Sequence, residues 1–102
     1  MKLTILEGND KMAEFIVEHD GYMFIVTPTI YNDKFDELSH DIRLIRAKYM
    51  TRFLSLIEYY ETKEYVQRIE REIIEEIRSY VIRELGYLNQ YEGCSYYIRI
   101  GD

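Results

Sequence analysis

The hydrophobic and polar positions change their period along the chain and divide it into three regions. In residues 1–31, apolar side chains such as Leu3 and Ile5 alternate with polar ones, and β-branched and aromatic residues are frequent. A period of two predicts β-strands in this region. Gly8 lies in a turn-forming sequence after the first strand, and Pro28 ends the last one because proline cannot donate to a β-ladder.

The segment around Asp20-Gly21 has two interpretations. Asp-Gly between β-forming runs predicts a hairpin over residues 12–27, because both central residues of a type I′ turn need positive φ. This hairpin would direct four side chains toward the core, namely Phe15, Val17, Phe24 and Val26. The alternative is a helix over residues 11–19 that ends at Gly21, with one face formed by Met12, Phe15, Ile16 and His19. We favour the hairpin.

Residues 33–85 have the period of helices. The first apolar stripe contains Phe35, Leu38, Ile42, Ile45, Tyr49, Phe53, Leu56 and Tyr60, and the second contains Val66, Ile69, Ile73, Ile77, Tyr80 and Val81. One unbroken helix would be about 80 Å long, which exceeds a small domain. We therefore predict a break near Glu61-Thr62 and two antiparallel helices, capped at the start by Asp33 or Ser39 and ended by Gly86.

The last region, residues 87–100, is predicted to form a second hairpin around Glu92-Gly93. Without gaps it aligns with the first hairpin, so that Phe15 matches Tyr87, Gly21 matches Gly93 and Phe24 matches Tyr96. This match favours an internal repeat, although two unrelated hairpins would also share turn glycines and β-formers. The predicted fold is one α+β domain over 1–102, with antiparallel hairpins near both termini packed on two long helices and a groove between two similar halves.

Composition restricts the class of protein further. The chain has 102 residues, 47% of them hydrophobic, a formal net charge of −6 and one cysteine. No apolar run is long enough to span a bilayer. The apolar stretch at the N-terminus is too short for a signal peptide, because Glu7 interrupts it. We expect a protein that is neither secreted nor bound to a membrane. A single cysteine cannot form an internal disulfide.

Glutamate and arginine are abundant, whereas glutamine and asparagine are rare, and this balance is typical of hyperthermophile proteins. Chance bias in a small chain is the alternative explanation. Together with the many β-branched residues and the 11 tyrosines, the composition resembles the small orphan proteins of filamentous viruses, of the lipothrixvirus type, that infect hyperthermophilic archaea. The resemblance implies an accessory or virion-associated factor in the host cytoplasm or the virion, and it assigns no residues.

Catalytic, cofactor-binding and metal-binding patterns are missing from the sequence. His19, His40 and Cys94 are far apart, and phosphate-binding glycine motifs do not occur. The carboxylates of residues 70–76 lack the Glu-x-x-His pairing of di-iron bundles, so a solvated helix face is the favoured interpretation. The sequence therefore predicts a protein that is not an enzyme and holds no cofactor or metal.

Tyrosine is the residue type that best indicates a function. Four tyrosines of the last region are candidates for binding a partner, namely Tyr87, Tyr91, Tyr96 and Tyr97. On a strand, Tyr96 and Tyr97 must point to opposite faces, and we expect Tyr91 and Tyr97 to face away from the helices. The alternative is that each ring seals the edge of the core. The predicted function is a protein–protein interaction module that binds a peptide or partner segment, with the oligomeric state left open and a homodimer included.

A cluster of basic residues supports an alternative function. Arg43, Arg46, Lys48 and Arg52 have no acidic residue between them, which is a pattern of small nucleic-acid-binding regulators. The net charge of −6 makes nucleic acid the less favoured partner. Pairing of these side chains with glutamates would favour the interaction module, whereas a continuous exposed basic stripe would favour the regulator.

Overall fold

A computed structural model of the chain describes the backbone of residues 1–19, 24–56 and 63–101, and the side chains of these ranges except residues 19, 50–56, 63 and 65. Within these ranges lie four strands and two α-helices. In chain order they are β1 (Lys2–Glu7), β2 (Asp10–His19), β3 (Phe24–Ile30), α1 (Asp36–Leu56), α2 (Lys63–Glu92) and β4 (Tyr96–Gly101). The predicted α+β class is confirmed.

The strands form an antiparallel sheet in the order β3-β2-β1-β4, and the helices cover one of its faces. Alternate strand residues point into this layer, where they pack against Ile42, Ile69, Ile73, Ile77 and Val81 of the helices. The buried strand residues on this face are Leu3, Ile5, Ala13, Phe15, Val17, Phe24 and Tyr96. The predicted core positions of β2 and β3 are therefore confirmed, with Val26 half-buried against the same cluster.

The helical alternative for residues 11–19 is wrong, because these residues lie in β2. The strand is favoured over the helix there because alternation of side chains buries Ala13, Phe15 and Val17 together on the helix-covered face. β2 and β3 pair antiparallel with His19 opposite Phe24, as a hairpin requires. The Asp20-Gly21 turn itself lies outside the described residues.

The two helices run antiparallel. The Tyr80 hydroxyl of α2 donates to Asp41 of α1, and the Lys48 Nζ lies 2.7 Å from a carboxylate oxygen of Glu76. Residues further along α1 therefore contact residues earlier in α2, as antiparallel helices require. The predicted break at Glu61-Thr62 lies outside the described residues. Before α1, a short 3-10 helix (Asp33–Phe35) leads into it. Asn32 caps this 3-10 helix, because its side-chain oxygen accepts from the backbone N–H of Lys34 at 3.1 Å, and Asp33, one of the predicted caps, lies inside it.

The predicted second hairpin over residues 87–100 is wrong. α2 continues to Glu92, and only one strand, β4, follows it before pairing with β1. Leu85 is buried and Leu88 packs against the core, so the apolar stripe of α2 extends beyond Gly86 and holds the chain helical. The helix ends instead before Gly93, which has a φ of 69°. The internal repeat depended on this hairpin and is not observed.

The two glycines test where α2 ends. Replacing Gly93 with alanine should lower the free energy of unfolding by about 1–2 kcal/mol, because a Cβ makes the left-handed backbone unfavourable. Replacing Gly86 with alanine should instead raise it by up to about 1 kcal/mol, because Gly86 is helical and a Cβ there would meet no other described atom within 4 Å. Urea unfolding of both variants measures the difference. The opposite signs would place the helix end at Gly86.

Candidate interaction site at the edge of β4

β4 is an edge strand. The hydrogen bonds between β1 and β2 determine which backbone groups of β4 bond to β1 and which face outward. Met1 and Val17 exchange both of their hydrogen bonds, with N···O distances of 2.8 and 2.7 Å. Backbone groups alternate in direction along a strand, so Leu3 and Ile5 also bond toward β2. Lys2, Thr4 and Leu6, the residues between them, direct their groups toward β4.

The same alternation then applies to β4. Gly101, Arg99 and Tyr97 lie opposite Lys2, Thr4 and Leu6, and they bond toward β1. The N–H and C=O groups of Tyr96, Ile98 and Ile100 consequently point away from the sheet. An unpaired row of this kind is a template for pairing with another strand.

Asn89 of α2 occupies the first position of this outward row. Its Oδ1 accepts from the Tyr96 N–H at 2.8 Å, and its Nδ2 donates to the Tyr96 carbonyl at 3.0 Å. Ile98 and Ile100 have no such partner among the residues that the structure describes. The open part of the edge is therefore short, with two outward donors and two outward acceptors.

A groove of about 430 Å³ lies beside this edge, between α2 and β4. It is lined by Ile82, Leu85, Gly86, Asn89, Tyr96, Tyr97 and Ile98. Ile82 is 45% exposed, which is unusual on a helix whose other exposed positions are mostly charged or polar. Gly86 carries no side chain and therefore leaves space in the groove. A segment placed along β4 would contact the apolar side chains of Ile82 and Ile98.

Two of the four candidate tyrosines line this groove. Tyr96 is buried, with its ring edge-on to Phe35 at a centroid distance of 5.4 Å. Tyr97 is 47% exposed on the opposite face of the sheet, and its hydroxyl donates to the Gly8 carbonyl at 2.5 Å. The two rings point to opposite faces, as period two requires. Tyr96 belongs to the core, and Tyr97 forms the rim of the groove.

The other two tyrosines lie on α2 and outside the groove. Tyr87 and Tyr91 are 52% and 77% exposed, one turn apart, with their rings stacked at a centroid distance of 6.5 Å. Tyr87 is five residues from Ile82, which corresponds to about 140° around the helix. The prediction that Tyr91 lies on a strand is wrong, whereas Tyr97 does face away from the helices as predicted.

The other edge of the sheet is protected. β3 contains Pro28, which has no N–H, and Thr29 is an extra residue between the pairs Phe15–Pro28 and Glu14–Ile30. Arg46 also donates from Nη1 to the Phe24 carbonyl at 3.1 Å. Proline, a bulge and a covering side chain each prevent strand pairing. β4 contains neither proline nor a bulge, and Asn89 covers it only at Tyr96, so its edge at Ile98 and Ile100 is the one suited to pairing.

A group of charged residues lies near β4 on the sheet face opposite the helices. Lys2, Thr4, Lys11, Glu14 and Arg99 line a second pocket of about 220 Å³ together with Ile100 and Gly101. The Glu14 carboxylate is buried and accepts hydrogen bonds from Thr4 at 3.1 Å and Thr29 at 3.0 Å.

The Glu14 carboxylate remains ionised in this position. Burial would raise its pKa, but the hydrogen bonds from Thr29 and Thr4 and the charges of Lys2 and Lys11 outweigh burial and lower the pKa below 4.5. Its negative charge neutralises one of three cations, which leaves the pocket with a formal charge of two positive units.

Two of the four residues in the basic cluster of α1 bond to other parts of the protein. Lys48 pairs with Glu76, and Arg46 bonds to the Phe24 carbonyl. Arg43 is exposed, and the side chain of Arg52 lies outside the described residues. The described members thus do not form one continuous stripe.

We predict weak binding to random duplex DNA at near-physiological salt, with a Kd no tighter than about 1 μM, because the net charge of −6 opposes the phosphate backbone. Fluorescence anisotropy with a labelled duplex measures it. Submicromolar binding that weakens steeply with salt, and is lost when Arg43, Arg46 and Arg52 become glutamine, would contradict this prediction.

Two further features concern metals and membranes. Among the described residues, no group of three or more His, Cys, Asp or Glu side chains is arranged to hold a metal ion. In the same part of the chain, no helix combines the length and the apolar character that crossing a membrane requires.

Comparison of the chain with known protein families, with curated proteins and with solved structures found no match.

Proposed function

We propose that the protein is a non-enzymatic interaction module that adds an extended segment of a protein partner to the edge of β4. The observation that supports this most directly is the juxtaposition of outward backbone groups at Ile98 and Ile100 with the apolar groove. Strand addition uses both features, because main-chain hydrogen bonds supply affinity and pockets for alternate side chains supply specificity.

The geometry defines what such a segment looks like. In an antiparallel arrangement, the residues opposite Ile98 and Ile100 each exchange two hydrogen bonds with β4, and each bond contributes about 0.5–1.5 kcal/mol net. Side chains of paired residues lie on the same face of a sheet. Those two partner residues therefore point toward the helix-covered side, beside Ile98 and Ile82. Branched aliphatic or aromatic residues fit these two positions.

The proposed setting follows from composition. Few amides and abundant glutamate and arginine support an origin in a hyperthermophilic environment, and we propose that the module acts in the host cytoplasm or the virion of an archaeal filamentous virus. An interaction module is consistent with an accessory factor of this kind.

A selection of peptides tests the proposed function. A display library of random linear peptides is selected on the immobilised protein and on its G86Q and Y87Q variants. We expect enriched peptides with alternating apolar residues that bind the wild type and Y87Q equally. Binding to G86Q should fall at least tenfold, because glutamine at residue 86 projects into the groove.

The two variants are matched, since both replace exposed residues of the same helix and only Gly86 lines the groove. G86Q should also fold well, because glutamine is the better helix former. Failure to enrich any peptide, or enriched peptides that bind G86Q as tightly as the wild type, would contradict the proposed function.

A further inference from the structure

We propose that the segment bound at β4 carries a carboxylate between its two apolar residues, so that its pattern is apolar–acidic–apolar. This inference rests on the proposed function and names the chemistry of the partner. It follows from the residue that lies between Ile98 and Ile100.

That residue is Arg99, and its position sets what must face it. The partner residue opposite Arg99 lies between the two groove-facing residues, so its side chain points to the sheet face opposite the helices. Arg99 is exposed and has no carboxylate partner among the described residues. Directly opposed strand residues have Cβ atoms about 4.5–5.5 Å apart, which brings an aspartate or glutamate within reach of the guanidinium.

The surroundings of Arg99 strengthen this preference. Lys2 and Lys11 line the same pocket, and Glu14 offsets only one of the three cations because Thr4 and Thr29 hold its carboxylate within the sheet. This local excess of positive charge lies on a protein whose formal net charge is −6. A partner attracted by overall charge would be basic, whereas the site itself selects an acidic residue.

The same geometry disfavours a second copy of this chain as the occupant. If two β4 strands pair antiparallel with Ile98 of one copy opposite Ile98 of the other, Ile100 lies opposite Tyr96 of the second copy. The backbone groups of Tyr96 already bond to Asn89 and are not free to pair. If the two strands pair about Arg99, all four outward groups of Ile98 and Ile100 are used. The two Arg99 side chains then lie directly opposite each other, and like charges in that position are destabilising.

A titration with defined peptides tests the inference. The probes are acetyl-Ser-Thr-Ile-Glu-Ile-Thr-Ser-amide, the same peptide with lysine or glutamine in place of glutamate, and a form of the glutamate peptide that is N-methylated at both isoleucines. Binding is followed by NMR through the amide shifts of Ile98 and Ile100. We expect the glutamate peptide to bind about fivefold more tightly than the glutamine peptide, and more tightly still than the lysine peptide.

Two variants of Arg99 test its role, and a variant of Arg43 provides the control. R99Q should remove the preference for glutamate, and R99E should reverse it in favour of lysine. R43E changes the net charge by the same amount on α1, whose sheet contacts are with β3, and should leave the preference unchanged. The N-methylated peptide should not bind, since it cannot donate to β4.

The outcomes separate this inference from the proposed function. If the glutamate, glutamine and lysine peptides bind equally and the N-methylated peptide does not bind, the acidic preference is overturned and strand addition remains supported. Absence of binding by every peptide would overturn both. Concentration-dependent shifts of Ile98 and Ile100 without peptide, together with a dimer by sedimentation, would replace the acidic segment with a second copy.

Discussion

Replacing Ile73 with alanine is expected to lower the free energy of unfolding by about 2–5 kcal/mol, because it leaves a cavity where α2 packs on the sheet. Ile73 is fully buried in the cluster that joins both helices to β1 and β2. Denaturant unfolding monitored by circular dichroism measures the loss.

The matched control is Ile82→Ala on the same helix. Ile82 is 45% exposed at the groove, so the same deletion should change the free energy of unfolding by no more than about 1 kcal/mol. The two variants thus separate the core side of α2 from its groove side. Comparable losses at both positions would show that the groove is closed in solution and would contradict an open docking surface.

The second large effect concerns Glu14 and depends on pH. The folded state lowers the pKa of this carboxyl below 4.5, so the unfolded chain takes up a proton first as the pH falls. The stabilisation is therefore fully present above about pH 4.5 and is lost as the pH falls through the pKa of the folded state. Glu14→Gln should lower the free energy of unfolding at pH 7 by about 1–3 kcal/mol, since buried donors lose a charged acceptor.

Unfolding curves of the wild type and of Glu14→Gln, measured between pH 7 and pH 3, test whether the ionised Glu14 carboxylate stabilises the folded state. The difference between the wild type and Glu14→Gln should shrink steadily in acid. Glu18→Gln, on the same strand but exposed, should change stability little at any pH. A constant difference between the wild type and Glu14→Gln down to pH 3 would show that the Glu14 carboxylate is not what stabilises the sheet.

The strands and helices that follow a single period were predictable from the sequence. Phe15, Val17 and Phe24 follow the period of two of a sheet with one covered face, which favoured the hairpin over the alternative helix, and the Ile-rich stripes of residues 33–85 follow the period of helices. These positions bury large apolar side chains, so the local pattern and the tertiary packing agree.

The end of α2 was not predictable in the same way. Gly86 and Gly93 are both plausible C-terminal stops by residue type, and tyrosines 87 and 91 have high β propensity. The choice depends on Leu85 and Leu88, whose burial is decided by packing against the sheet rather than by local preference. A helix that continues to Glu92 leaves residues for one strand only, which removes the second hairpin and with it the internal repeat.

The candidate site was predictable only in part. The tyrosine cluster drew attention to Tyr97, which lies at the rim of the groove, but the groove depends on β4 pairing with β1 at the far end of the chain. That pairing joins residues about 95 positions apart, such as Thr4 and Arg99, and no local pattern specifies it. The relevant signals were weaker ones, namely Ile82 and Gly86 outside the buried stripe of a helix whose exposed positions are mostly charged or polar, and an edge strand without proline.

Amide hydrogen exchange at residue resolution tests the central claim most directly, because the claim assigns specific backbone groups to the partner. In the free protein, the amides of Tyr97 and Arg99 should be protected and those of Ile98 and Ile100 should exchange rapidly, since only the latter two point outward. Addition of a saturating peptide from the display selection should protect Ile98 and Ile100 at least tenfold and leave β3 unchanged. Protection that arises along β3, or the absence of any new protection in β4, would contradict docking at this edge.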